Sequence, residues 1–276
     1  MSYFDLSNGE KIYYEDTKAG DRTILMIHGW TSSSEEFKAV VPAIAEKARC
    51  ITLDLRGHGR SKDANKDKVT LDTLASDVNE LIRALKLENI TLLGWSMGAA
   101  VVMKYADKYG CSALKNVILC DMTPKQINEN GWRLGLYKGA YSRADMEADE
   151  GRDFFTLYKK FVIGAIPRLG RIPGFLLNGP LKKELAKGDE GVLRSLSQCM
   201  KSEDYRGCVD KFTVPVFYFY ANPGSLFSPE LADWYGEKVN TSYLAVAINE
   251  STHMMVRDQP EQFAEEVIKI LEDIEY

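Results

Sequence analysis

Short apolar runs recur along the chain at residues 23–28, 50–54, 90–95 and 116–121. They are rich in Ile, Leu and Val and show no polar alternation, the pattern of strands buried on both faces. Ahead of them, β-like runs at 3–6 and 11–15 flank the turn-forming Ser7-Asn8-Gly9, which predicts an opening hairpin. Between the strand-like runs, Leu71, Leu74, Ala75, Val78, Leu81, Ile82 and Leu85 return at helical spacing behind Thr70, a suitable N-cap. The pattern resumes late in the chain with apolar runs at 215–220 and 243–248. A helix follows, opened by Pro260 and carrying Phe263, Val267, Ile268 and Leu271 on one side. Strand and helix alternation of this kind predicts an α/β fold, a mostly parallel central sheet flanked by helices.

Between Thr123 and Cys208 the alternation stops. Helix-like segments replace it, among them the Phe154, Phe155, Tyr158, Phe161, Val162 stripe, together with a stretch punctuated by Gly and Pro through Pro180. The expected organisation is a core of residues 1–122 and 209–276 with residues 123–208 inserted as a helical cap. The aromatic and aliphatic content of that insertion suits an enclosed apolar group, although the same residues equally suit a cap core.

Composition narrows the partners. Of 276 residues, 40 are acidic and 35 basic, for a net charge of −5, and no Lys/Arg run stands out. Neither nucleic acid nor an anionic membrane is expected to bind, and a small-molecule substrate is. No apolar run is long enough to span a bilayer, and the opening residues are polar and strand-like with no secretory leader pattern. The five cysteines, Cys50, Cys111, Cys120, Cys199 and Cys208, are odd in number, and two of them lie in apolar runs. They read as reduced thiols of a cytoplasmic protein. Without metal-ligand spacing among Cys and His, no metal site and no cofactor is expected. Nothing in the sequence sets the oligomeric state.

The chemistry concentrates in a few motifs. Gly94-Trp95-Ser96-Met97-Gly98 follows one apolar run directly and opens a predicted helix over 99–109, the setting of a nucleophile elbow. A sharp strand-to-helix turn lifts the Ser96 hydroxyl above the sheet, and the flanking glycines leave room for the turn and for close helix packing. His28-Gly29-Trp30 follows an earlier strand, where a loop can aim the Trp30 amide at the same point as the Met97 amide, making a two-donor oxyanion hole. Three histidines are present. His28 and His58 lie in loop motifs that suit structural hydrogen bonds. His253 follows the last apolar run and can return over the carboxyl edge of the sheet as general base.

Taken in order, HGW (28–30), DLRGHGRS (54–61), GWSMG (94–98) and the late His253 resemble the α/β-hydrolase superfamily from end to end. The stretch Asp121-Met122-Thr123-Pro124, with Gly131-Trp132 and Gly135-Leu136-Tyr137, is also similar to its haloperoxidase-like or arylesterase-like bacterial branch. The resemblance implies an α/β-hydrolase fold with a cap and a Ser-His-acid triad. It also exposes a departure. Most members carry the triad acid in a turn after the strand matching residues 215–220, where this chain has Gly224 and no carboxylate before Glu230. Certain haloalkane dehalogenases place the acid one strand earlier, which points to Asp121, although Asp121 also suits a local capping role. Glu250, Asp54 and an uncharged Asn222 are weaker alternatives. The function expected is a serine hydrolase of carboxylesterase type, acting through an acyl-enzyme on a small or medium, largely apolar ester. C–C bond hydrolysis or lysis on the same groups, and a non-catalytic ligand-binding module, are the rivals.

Overall fold

The structure is a computed structural model that describes residues 2–65 and 68–273. Its strands are β1 (Ser2–Asp5), β2 (Lys11–Asp16), β3 (Thr23–Ile27), β4 (Arg49–Leu53), β5 (Ile90–Trp95), β6 (Leu114–Cys120), β7 (Val216–Gly224) and β8 (Tyr243–Thr252). They form one eight-stranded sheet in the order β1-β2-β4-β3-β5-β6-β7-β8. The opening hairpin pairs antiparallel with itself and with β4, and from β4 to β8 every neighbour is parallel. This is the doubly covered α/β sheet that the apolar runs predict.

Alternation within the buried strands supplies both faces. In β3, Leu25 and Ile27 join one core cluster while Ile24 and Met26 join the other. The first cluster is covered by α2 (Leu71–Ala84) and α3 (Met97–Tyr109), the second by α1 (Val41–Ile44) and the C-terminal helix described below. α2 starts where expected: the Thr70 hydroxyl accepts from the Thr73 amide at 3.2 Å, satisfying a donor the first turn leaves free. α3 starts two residues earlier than the sequence predicts, immediately after Ser96, because the elbow leaves no loop between strand and helix.

Between β6 and β7 the chain forms α4 (Arg143–Glu150), α5 (Phe154–Ala165), α6 (Gly174–Leu185), α7 (Glu190–Ser202) and α8 (Arg206–Val209). α6 runs through the stretch punctuated by Gly and Pro. Pro180 removes one backbone donor there, but burial of Leu177 and Leu181 on one side holds the turns together. After β7 come α9 (Glu230–Lys238), α10 (Met255–Asp258) and α11 (Pro260–Leu271). α11 buries Phe263, Val267, Ile270 and Leu271 beneath the second face.

β7 and β8 each extend four residues beyond the apolar runs that mark them in sequence. Their parallel pairing continues from Ala221↔Ile248 through Asn222↔Asn249 to Gly224↔Thr252, with a register shift after Asn222. Glu250 is the residue skipped by the shift and adopts φ 54°. What would be a turn in the common pattern is strand in this chain.

Candidate active site

Three strand ends meet at one edge of the sheet. β5 and β6 pair through Trp95↔Cys120, so Ser96 and Asp121 stand at the next step of adjacent strands. Both leave the sheet with positive φ, 55° for Ser96 and 45° for Asp121, a conformation costly for residues with a Cβ and common where side chains must be aimed. The Ser96 amide donates to the Cys120 carbonyl at 2.8 Å and the Asp121 amide to Phe219 at 2.8 Å, so the backbone holds both turns. At Gly98, a Cβ would stand 2.2 Å from the Ile27 carbonyl oxygen, and its absence lets α3 close against the end of β3.

His253 arrives from the loop after β8. Its Nε2 lies 2.9 Å from Ser96 Oγ and its Nδ1 lies 2.7 Å from Asp121 Oδ2. All three residues are buried. A carboxylate can only accept, so Nδ1 carries the proton and Nε2 presents its lone pair to the Ser96 hydroxyl. The backbone carbonyl of His253 accepts from the Trp95 indole at 2.9 Å, and the rings of Trp95, Phe161 and Phe227 surround the imidazole.

Asp121, and no other of the carboxylates considered from the sequence, lies beside His253. Its second oxygen accepts from the Ser225 hydroxyl at 2.7 Å and the Ala221 amide at 3.3 Å. Gly224 cannot be replaced by the usual acid without displacement, since a Cβ there would lie 2.5 Å from the Ser251 carbonyl oxygen. The alternatives face elsewhere. Asp54 accepts from the Ser34 and Arg60 amides, each at 2.7 Å, Asn222 donates to Asn249 at the surface, and Glu250 is exposed.

His28 and His58 are buried and hydrogen-bonded to backbone groups of their own loops and strands. His28 donates from Nδ1 to Gly29 and accepts from the Leu55 amide at Nε2, and His58 donates to the Arg56 carbonyl. Burial pushes His28 down to about 4 and His58 to about 3, the neighbouring His28 adding to the latter. Among the described residues, the Trp30 and Met97 amides donate to no protein acceptor, which leaves both available at the Ser96 turn. Trp30 also holds its ring in place, donating from Nε1 to the Leu193 carbonyl at 2.9 Å.

The cavity over Ser96 has a volume of about 190 Å³, with Trp30, Tyr158, Phe161, Val162 and Ile166 among its apolar walls. Glu36 lies beneath its rim, accepting from Ser32 of the 28–33 loop and pairing with Arg257 of α10. That link ties the Trp30 loop to the His253 loop, and burial raises the Glu36 carboxyl above its ordinary range. Among the described residues, no group of three or more His, Cys, Asp or Glu side chains is placed to hold a metal ion.

With this geometry, comparison with known proteins is decisive for the family. A model described as alpha/beta hydrolase fold matches residues 22–163, more than half of the chain. The chain belongs to the alpha/beta hydrolase fold family. This alpha/beta hydrolase is 32% identical over 118 residues to the non-heme chloroperoxidase CPO-A1 of Kitasatospora aureofaciens, covering 42% of each protein. The match spans about half the length of the first curated relatives. Among solved structures, an esterase from Exiguobacterium antarcticum superposes with a TM-score of 0.82 at 26% identity, over 98% of this chain and 99% of that one. A bromoperoxidase from Bacillus anthracis gives 0.80 at 24% identity over 95% and 96%, a likeness of fold. The hydrolase thus falls among haloperoxidase-like and esterase relatives, as its motifs imply. No helix among its described residues is long and apolar enough to cross a membrane.

Sequence reasoning misses Ser225. Its signal was present, since it is the first hydroxyl after the β7 run in a segment that lacks a carboxylate. What it touches depends on the extended β7–β8 pairing.

Proposed function

We propose that this protein is a serine hydrolase of carboxylesterase type that cleaves a small or medium, largely apolar ester through an acyl-enzyme. The observation that carries the reading is the continuous chain of hydrogen bonds from Ser96 through His253 to Asp121. His253 takes the Ser96 proton as the hydroxyl attacks the acyl carbon, and the Trp30 and Met97 amides receive the oxyanion. The protonated imidazole then gives its proton to the leaving alcohol, and water activated by the same histidine releases the acid. Asp121 fixes the ring orientation and stabilises the imidazolium, and Ser225 and the Ala221 amide hold Asp121. Helices α4 to α8 act as the cap, residues 123–208, and their aromatic walls favour an apolar acyl or aryl group. The complete relay supports turnover over a ligand-sensing role, for which the unusual position of the acid is mild support.

Hydrolysis of p-nitrophenyl esters from acetate to decanoate tests this with Ser96→Ala, His253→Ala and Asp121→Asn. The expected result is Ser96-dependent turnover, with the histidine and aspartate variants reduced by about 10³-fold or more. Wild type no faster than Ser96→Ala across the series would remove the esterase reading in favour of C–C bond chemistry or binding alone.

A further inference from the structure

One part of the cap carries apolar side chains that the rest of the chain leaves uncovered. Phe175 is 74% exposed, Leu176 56% and Ile172 40%, and among the described residues the other large hydrophobic exposed to this degree is Tyr3 of β1. The three follow the 3-10 turn Pro167–Arg171 and open α6, in a stretch exposed from Gly170 to Leu176. The stretch is tied down. Lys159 of α5 donates to the Gly174 carbonyl at 2.7 Å and to Asn178 Oδ1 at 2.8 Å, while α6 buries Leu177 and Leu181 on its inner side. Large apolar side chains clustered on a fixed surface, unlike ones scattered singly, mark a place of contact.

The charge of this segment runs against that of the chain. The whole sequence is at −5, whereas residues 167–187 hold Arg168, Arg171, Lys182, Lys183 and Lys187 against the single acid Glu184. Glu184 pairs with Lys187 at 2.7 Å, and Arg168 meets Asp258 at 3.4 Å. Among the described residues, Arg171 and Lys183 form no ion pair, and Lys182 meets the Phe155 ring at 5.3 Å. Lys182 and Lys183 stand two turns beyond Phe175 and Leu176 on the same side of α6, about 10 Å along its axis. That spacing fits a lipid interface, where apolar side chains enter to about 5–10 Å and the cations behind them meet the headgroups. A second copy of the chain fits less well, since pairing this face with itself sets cations against cations.

We propose that this face of the cap docks on an anionic lipid surface, with Ile172, Phe175 and Leu176 entering the headgroup region and Arg171, Lys182 and Lys183 meeting the lipid phosphates. The same segment supplies Leu169 and Leu181 to the wall of the cavity over Ser96, so docking holds that cavity beside the surface. The sequence suggests no such partner, because apolar residues stand between these cations and no Lys/Arg run forms. Exposure in the fold marks the face instead. The docking does not depend on the chemistry at Ser96.

Flotation with vesicles of phosphatidylcholine alone, and of phosphatidylcholine and phosphatidylglycerol in equal parts, tests this. Wild type is expected to float with the anionic vesicles, to release from them as salt is raised, and to stay behind with phosphatidylcholine. Two double variants, Phe175→Ser with Leu176→Ser and Lys182→Glu with Lys183→Glu, should each lower the partition coefficient about tenfold or more while melting at the wild-type temperature. Wild type that ignores the anionic vesicles, or binds neutral ones equally well, would overturn the proposal, as would full binding by either double variant. A wild-type dimer that the serine variant converts to monomer would overturn it too, because the face would then be a contact between copies.

Discussion

At the residue scale, the position of Asp121, the proposed triad acid, decides what can be substituted for what. Asp121 reaches His253 because β6 ends one step beside the elbow strand, and Gly224 is kept free of a side chain by the Ser251 carbonyl. Moving the carboxylate to its common position therefore fails in this chain. The double variant Asp121→Asn, Gly224→Asp is expected to stay as inactive as Asp121→Asn and to melt at lower temperature. Recovery to within about tenfold of wild type would show that the two positions are interchangeable. Ser225 has the opposite signature. Ser225→Ala removes one hydrogen bond to Asp121, so kcat should fall about tenfold with KM and melting temperature nearly unchanged, as steady-state kinetics would report.

At the element scale, the distance between α3 and β3 sets where Ser96, the proposed nucleophile, stands. Gly98 lets the first turn of α3 touch the Ile27 carbonyl, and that turn carries both Ser96 and the Met97 amide. Gly98→Ala forces the helix outward, with two consequences expected together: a lower melting temperature and a loss of kcat of about 100-fold or more. A variant that melts earlier but keeps full kcat would separate helix packing from the aim of the serine. The helices and strands themselves are legible in sequence, because apolar spacing and caps such as Thr70 act within one element. α6 and the extended ends of β7 and β8 are less legible, since packing around Pro180 and pairing across Asn222-Pro223-Gly224 depend on neighbours remote in sequence.

At the scale of the whole molecule, buried titratable groups set how the fold responds to acid. His28 and His58 pack with ring centroids 5.0 Å apart, and their folded values of about 4 and about 3 lie below the ordinary 6.5. Their contribution is fully present above pH 6.5 and is lost as pH falls through the folded values, because the unfolded chain takes up protons that the folded chain refuses. Asp77, paired with Arg56, works in the other direction: burial raises it from 3.8 to about 6, so its contribution is present at low pH and is lost as pH rises through about 6. Glu36, also raised by burial, acts in the same direction as Asp77. Between pH 7.5 and pH 5, urea unfolding should show the stability loss from the two histidines, offset in part by these two carboxyls. In His58→Gln the loss over the same interval should shrink by about half or more, and an unchanged slope would exclude the buried pair as its source.

The sequence by itself determined the alternation of buried strands and helices, the elbow serine, the late histidine and the absence of a carboxylate at Gly224, because each is written in local spacing and composition. Even Asp121 was reachable, once the usual position stood empty. Only the tertiary structure decided that Asp121 meets His253 while Asp54, Asn222 and Glu250 do not, and that Ser225 holds it. Those facts depend on which strands lie side by side and in what register, and residues more than a hundred positions apart carry no local mark of their contact.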